Sequence, residues 1–228
     1  MSPHLLTVDA VVFGYRKEEG LSILLIQRKI EPFIHQWALP GGFVLEKESL
    51  EEAVYRELSE ETGVHINYLE QLYTFGQLGR DPRGRVVSVA YFGLVNPEGH
   101  QIQADTDAEN VAWFSIKQLP SLAFDHLSIV QMALDRLKNK MLYEPIGFEL
   151  LAPKFPFSDL EHLYRTVLDR EFDRRNFKRK FMSLGIIEEL PEKVSVSAAG
   201  RPGNYYIFNK ANYFKLKEQG ANFEVLIS

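Results

Sequence analysis

The chain has 228 residues, 45% apolar, 12% aromatic and 25% charged, which is the balance of a globular protein and excludes a disordered one. It has no cysteine, so disulfides, thiolate metal sites and thiol nucleophiles are excluded. The net charge of −5 is uneven: up to Leu150 there are 13 basic and 21 acidic residues, and beyond it 13 and 10, a contrast that points to two domains with different partners.

The opening MSPHLLTVDAVVFGY has no basic start and is interrupted by Asp9, so it reads as a strand over 5–15 and not as a signal peptide. A second strand, LSILLIQR at 21–28, follows a polar turn. No apolar run reaches the roughly 18–20 residues of a membrane helix, so no membrane partner and a cytoplasmic location are expected. From Ile30 to Leu45, Pro32, Pro40, Gly41 and Gly42 predict a shaped loop. Ser49 to Glu61 then reads as a helix, with Ser49 and Glu52 spaced as a capping box and Gly63 just past its end.

That helix places acids where its apolar stripe should be. At about 100° per residue, Glu57 and Glu61 fall within about 20° of Leu50, on the side that Ala53, Val54 and Leu58 also claim. Glu60 stands at the edge of the stripe, and Glu48 precedes the helix. Such acids repel one another unless a positive group intervenes, and magnesium or manganese beside a diphosphate would turn repulsion into attraction. The stretch resembles the Nudix box at every position: Gly42, Glu48, Arg56, Glu57, Leu58, Glu60, Glu61, Gly63 and Val64 stand at its spacing. The resemblance implies an α/β fold, an α/β/α sandwich with a mixed sheet, that hydrolyses nucleoside diphosphates linked to another group. It also implies that Glu57 and Glu61 ligate Mg2+ or Mn2+, that Glu60 ligates metal or polarises the attacking water, and that Glu48 supports them. The Gly41 carbonyl would add a ligand, and Arg56 would hold the acids by ion pairing.

Further strands are expected at 68–75, 86–95 and 111–114, and a second helix at 125–139. The turn before the 86–95 strand carries Arg80, Arg83 and Arg85 around Asp81, Pro82 and Gly84. It reads either as a charged hairpin turn or as a loop whose arginines meet phosphate or ribose oxygens. Its RDPRG, with Asp125 and His126 in LAFDH, resembles the Nudix branch that handles or senses ADP-ribose, which implies ADP-ribose or a related phosphosugar as ligand. Trp37 and Phe43 are candidates to stack on a base, with plain packing the competing reading, and Glu109 is either a remote base or a surface acid.

Pro145, Gly147, Pro153 and Pro156 form a poorly periodic connector, so the domains are expected at 1–150 and 151–228. The rear domain reads as helices at 158–168 and 172–183, a short strand at 186–189, a turn at Gly200, Pro202 and Gly203, and a strand at 205–208. Its second helix carries Arg174, Arg175, Asn176, Lys178, Arg179 and Lys180 between Phe172, Phe177 and Phe181. A basic outer face on an apolar base suits docking to DNA phosphates, and Arg201 at a hairpin tip suits the minor groove. The layout resembles the NrtR-like regulators, a Nudix domain followed by a C-terminal winged helix-turn-helix domain. That resemblance implies an ADP-ribose-type small molecule and double-stranded operator DNA as partners, and a homodimer on a palindrome-like site. The residues support a metal-dependent pyrophosphatase fused to a DNA-binding domain, with a non-catalytic metabolite-sensing regulator as the alternative.

Overall fold

The computed structural model describes residues 4–100, 102–104, 107–194, 203–221 and 223. By internal packing the chain divides into Met1–Arg136 and Leu137–Ser228. Among the described residues no helix is long and apolar enough to cross a membrane.

The first unit is built on a seven-stranded mixed sheet. The strands β1 (Leu5–Arg16), β2 (Gly20–Arg28), β3 (Trp37–Ala38), β5 (Tyr68–Phe75) and β6 (Val86–Val95) lie in the order β3-β2-β1-β6-β5, while β4 (Gly41–Phe43) pairs with β1 and β7 (Ala108–Ser115) with β2. β1 and β6 run parallel and the other pairs antiparallel. The centre of β1 is buried on both faces, which is why its apolar run is nearly continuous and not alternating. Helix α1 (Leu50–Thr62) adds Ala53, Val54 and Leu58 to a core with Val8, Ala10, Val12, Leu24 and Tyr91.

Local signals account for where α1 starts and stops. The Ser49 hydroxyl accepts from the Glu52 amide while Glu52 accepts from the Ser49 amide, and Gly63 closes the helix at φ 68° with its N–H on the Ser59 carbonyl. Space requires glycine at Gly41, against backbone, while at Gly42 a side chain would displace the Glu57 carboxylate. A Cβ on Gly41 would lie 2.1 Å from the Val8 carbonyl oxygen, and one on Gly42 would lie 2.2 Å from Glu57 Oε1. A second helix, α2, spans His126–Tyr143.

The second unit continues past a short 3-10 helix, Ile146–Leu150, with β8 (Lys154–Pro156), α3 (Phe157–Leu168), α4 (Arg174–Ser183), β9 (Ile187–Lys193), β10 (Asn204–Phe208) and α5 (Lys210–Glu218). Its small antiparallel sheet has the order β8-β10-β9. Phe157, Leu160, Leu163 and Tyr164 of α3 are buried with Phe177 and Phe181 of α4, whose rings meet at 4.8 Å and which contact Tyr164 at 5.1 and 5.6 Å. Two helices, a basic second helix and a hairpin behind them form a winged helix. Four elements differ from the expectation. β3, β4 and β8 are two or three residues long and sit among prolines and glycines, below the length at which alternation can be read, and α5 is an added helix.

Candidate functional site

Helix α1 presents its acids to β4, and Arg56 gathers most of them. Its guanidinium donates to Glu48 Oε1 and Oε2 at 2.7 and 2.9 Å, to Glu57 Oε1 at 2.8 Å, to Glu60 Oε2 at 3.2 Å and to the Phe43 carbonyl at 3.1 Å. The Arg56 hydrogen bonds, with a backbone bond from Leu45, hold the Glu48 carboxyl down to about 2. Glu57 behaves oppositely: burial pushes its pKa up against the pull of Arg56. Glu61 is 4% exposed and outside the reach of Arg56, its Oε2 accepting from the Gly41 amide at 2.9 Å. Burial, with the Glu57 and Asp107 charges, pushes its carboxyl up to about 8.

These positions suit a hard divalent cation. Glu57 lies in a cradle that a Cβ on Gly42 would fill, Glu61 is a buried carboxylate against Gly41, and both favour a positive neighbour. Among the described residues no three His, Asp or Glu side chains already stand together as a metal cage. Arg56 holds Glu57 and Glu60 by ion pairs at 2.8 and 3.2 Å.

The arginine loop divides by role. Arg80 is 4% exposed at its side chain and grips Asp125 through two bonds of 2.9 and 2.7 Å, with Asp9 at 3.4 Å. Burial opposes its charge, but the Asp125 bond and the Asp9 and Asp125 charges outweigh burial and raise its pKa. Arg85 donates to the Gly76 carbonyl at 2.5 Å and so closes the loop it belongs to. Only Arg83 is turned over aromatic rings, 4.9 Å from the centre of Phe43 and 5.6 Å from that of Phe124, and it is steadied by Asp81 at 2.7 Å. Trp37 is half-buried, its ring edge-on to Phe114 at 4.6 Å. His126 is buried, its Nδ1 accepting from the Leu39 amide at 2.9 Å and its Nε2 3.5 Å from Asp9 Oδ1. Burial keeps it neutral by lowering its pKa, although Asp9 and Asp125 pull the other way. Glu109 pairs with His35 at 2.6 Å on the surface.

Thr7, Arg28, Gly41, Gly42, Arg83 and Phe124 line a narrow cavity of about 30 Å³ beside these acids, and Phe124 and Arg80 also line a neighbouring hollow of about 420 Å³. Sequence reasoning missed Thr7, Asp9, Arg28 and Phe124 as site residues. A carboxylate in the apolar run of β1 was a usable signal for Asp9, which accepts from Ser88 Oγ at 2.5 Å. Nothing in the chain's pattern set Arg28 apart.

In the second unit, Asp173 caps α4 by accepting from the Asn176 amide at 2.7 Å. Arg174, Arg175, Asn176 and Arg179 are exposed, Arg179 donating to Asn176 Oδ1 at 2.7 Å and Arg174 standing 3.3 Å from Glu161. Lys180 is half-buried, and Lys178 lies over the rings of Tyr206 and Phe157 at 5.1 and 5.7 Å. Its stem belongs as much to the core as to the outer face. Arg201, expected at the wing tip, lies outside the described residues.

Comparison with known proteins follows the same division. A family model described as NUDIX domain matches residues 3–132, and one described as NrtR DNA-binding winged helix domain matches residues 147–208. The chain is 38% identical to the ADPR responsive transcriptional repressor NtrR of Acinetobacter baylyi over 92% of this chain and 84% of that protein. It is 40% identical to the ADP-ribose pyrophosphatase of Methanocaldococcus jannaschii over 54% of this chain and 69% of that protein. Among solved structures, Shewanella oneidensis NrtR complexed with a 27mer DNA superposes with a TM-score of 0.81 at 36% identity, covering 92% of this chain and 95% of that one. The Nudix domain of the same protein complexed with ADP ribose superposes with a TM-score of 0.55 at 43% identity, covering 60% of this chain and 90% of that domain.

Proposed function

The chain belongs to the Nudix family, in the group that carries an NrtR-type winged helix behind the Nudix domain, and on that premise we propose that it is an ADP-ribose-responsive transcriptional repressor whose Nudix site also hydrolyses its ligand. The observation that carries the hydrolytic half is the pair Glu57, half-buried beside Gly42, and Glu61, buried and accepting from the Gly41 amide. Glu57 and Glu61, with Glu60 and the Gly41 carbonyl, would hold Mg2+ or Mn2+. Such an ion supplies charge neutralisation on the diphosphate oxygens and acidifies a water. The chain's own part is to hold Glu48 and Glu60 ready through Arg56. No protein nucleophile is needed to cleave a diphosphate with water.

The DNA-binding half is supported by α4, whose exposed Arg174, Arg175 and Arg179 stand on an aromatic base. Asn176, Lys178, Lys180 and Arg201 are proposed as its further contacts. A homodimer is proposed, because one winged helix covers one half-site. Domain limits of 1–150 and 151–228 remain the proposed working boundaries. Ligand binding without cleavage is a second reading, and one observation favours it: Arg56 already satisfies three of the acids. Release of AMP from ADP-ribose with Mg2+ or Mn2+ decides between them. Metal-dependent release supports the hydrolase, and retained binding with no AMP supports the pure sensor.

A further inference from the structure

Helix α5 begins at Lys210, beyond the residues 147–208 matched by the winged-helix family model, and it joins two other elements of the second unit. On one side Asn212 Nδ2 donates to the carbonyls of Leu184 and Gly185 at 3.1 and 2.9 Å, the two residues that follow the basic helix α4. Carbonyls at the end of a helix lack partners inside it, so this side-chain amide ties α5 to the exit of α4. The Asn209 backbone amide, which donates to the Ile186 carbonyl at 2.9 Å, continues the same seam.

On the other side α5 holds the end of α2, whose residues from Leu137 on belong to this unit. Glu144 directly follows α2. Its side chain is 12% exposed, and its carboxylate takes Lys140 at 2.8 Å, Lys217 of α5 at 2.5 Å and the Tyr213 hydroxyl of α5 at 3.5 Å. Burial pushes the carboxyl up, but the hydrogen bonds from Lys140 and Lys217 outweigh it and lower its pKa, so the link to α5 is ionic. The Lys217 side chain is 52% exposed, and an ion pair with one partner in water is made and broken at little cost. The two links therefore differ in kind: neutral amide bonds at α4, an exchangeable ion pair at α2. At its start α2 follows Asp125, which grips Arg80 of the 80–85 loop at 2.7 Å.

We propose that α5 is a strut between the end of α2 and the basic helix α4, and that making or breaking the Glu144–Lys217 link sets how α4 is presented to DNA. The effect of ADP-ribose on DNA affinity then passes through this strut. A shift of the last turn of α2 reaches the exit of α4 through Asn212 when the link is made, and stops at α5 when it is broken. Asn212 and Lys217 are positioning residues in this scheme, since neither needs to touch ligand or DNA. The inference rests on the proposed ADP-ribose-responsive repressor.

The test uses the full chain and the DNA fragment that the wild type selects most strongly from genomic DNA. Its affinity is measured without and with saturating ADP-ribose for wild type, Asn212→Ala and Lys217→Met, and ADP-ribose binding is measured separately by calorimetry. Both variants are expected to bind ADP-ribose as wild type does. ADP-ribose is expected to weaken DNA binding by about five- to 150-fold in wild type, the usual range of coupling between sites, and by less than about threefold in either variant. A wild-type ratio in both variants overturns the inference and leaves the proposed function standing. Variants that bind DNA poorly in both states but keep the wild-type ratio overturn it as well, because α5 then only builds the fold. Wild-type DNA affinity that ADP-ribose leaves unchanged removes the proposed function and this inference together. If Asn212→Ala does not fold, Lys217→Met decides alone, its side chain being half-exposed.

Discussion

Glu61 holds the most information per atom in the first unit. It is a carboxylate with 4% exposure that accepts from one amide and, among the described residues, forms no ion pair with an arginine, a placement that is unfavourable for an ion by itself and suited to one beside a cation. Glu61→Gln keeps the acceptor for the Gly41 amide and removes the charge. We expect the variant to fold, to melt no lower than the parent without metal, and to lose the upward shift in melting temperature on adding Mn2+. Metal-dependent AMP release should fall by about a hundredfold or more. A parent-like Mn2+ shift in the variant would remove Glu61 from the proposed metal ligands. The helical stripe that Glu61 shares with Leu58 made this residue legible in the sequence, since an acid on a buried face needs a reason. Its distance from Arg56 was not legible, because helical phase orders residues around an axis without saying which carboxylate the guanidinium will choose.

At the scale of elements, the Asp9, Arg80, Asp125 and His126 group ties β1, the 80–85 loop and the start of α2 together. His126 is neutral in the fold because burial lowers its pKa below the usual 6.5. The unfolded chain therefore takes up a proton that the folded chain refuses, so its contribution to stability is complete above about pH 6.5 and is lost as pH falls. Replacing it in His126→Gln should flatten the stability-versus-pH curve between pH 7 and 5 by up to about 1.4 kcal/mol per pH unit. Chemical denaturation of both proteins across that range measures the difference, and parallel curves would contradict the assignment. The long strands and the four longer helices were readable from periodicity and caps. The short strands were not, since β4 exists through its pairing with β1 and has no alternation of its own. For the arginine loop the sequence showed the charges but not their partners: Asp125 comes from 45 residues away, so the commitment of Arg80 emerges only in three dimensions.

Over the whole molecule, the shift from 21 acids and 13 bases before residue 151 to 10 and 13 after it follows the two matched families, one built around carboxylates and the other around a basic helix. The proposed repressor uses both, with ligand binding in one unit changing DNA affinity in the other only as far as the ligand distinguishes the DNA-competent state from the incompetent one. The double variant Arg175→Glu, Arg179→Glu should weaken DNA binding and lower the salt dependence of that affinity by about one per lost phosphate contact, with the circular dichroism spectrum retained. Unchanged DNA affinity would move the interface away from the outer face of α4. The most direct test of the account is the affinity of the wild-type chain for DNA fragments it selects from genomic DNA, titrated with ADP-ribose. Tight binding that weakens progressively as ADP-ribose is added is the expected result. DNA affinity that stays constant at ADP-ribose concentrations saturating the Nudix site would contradict it.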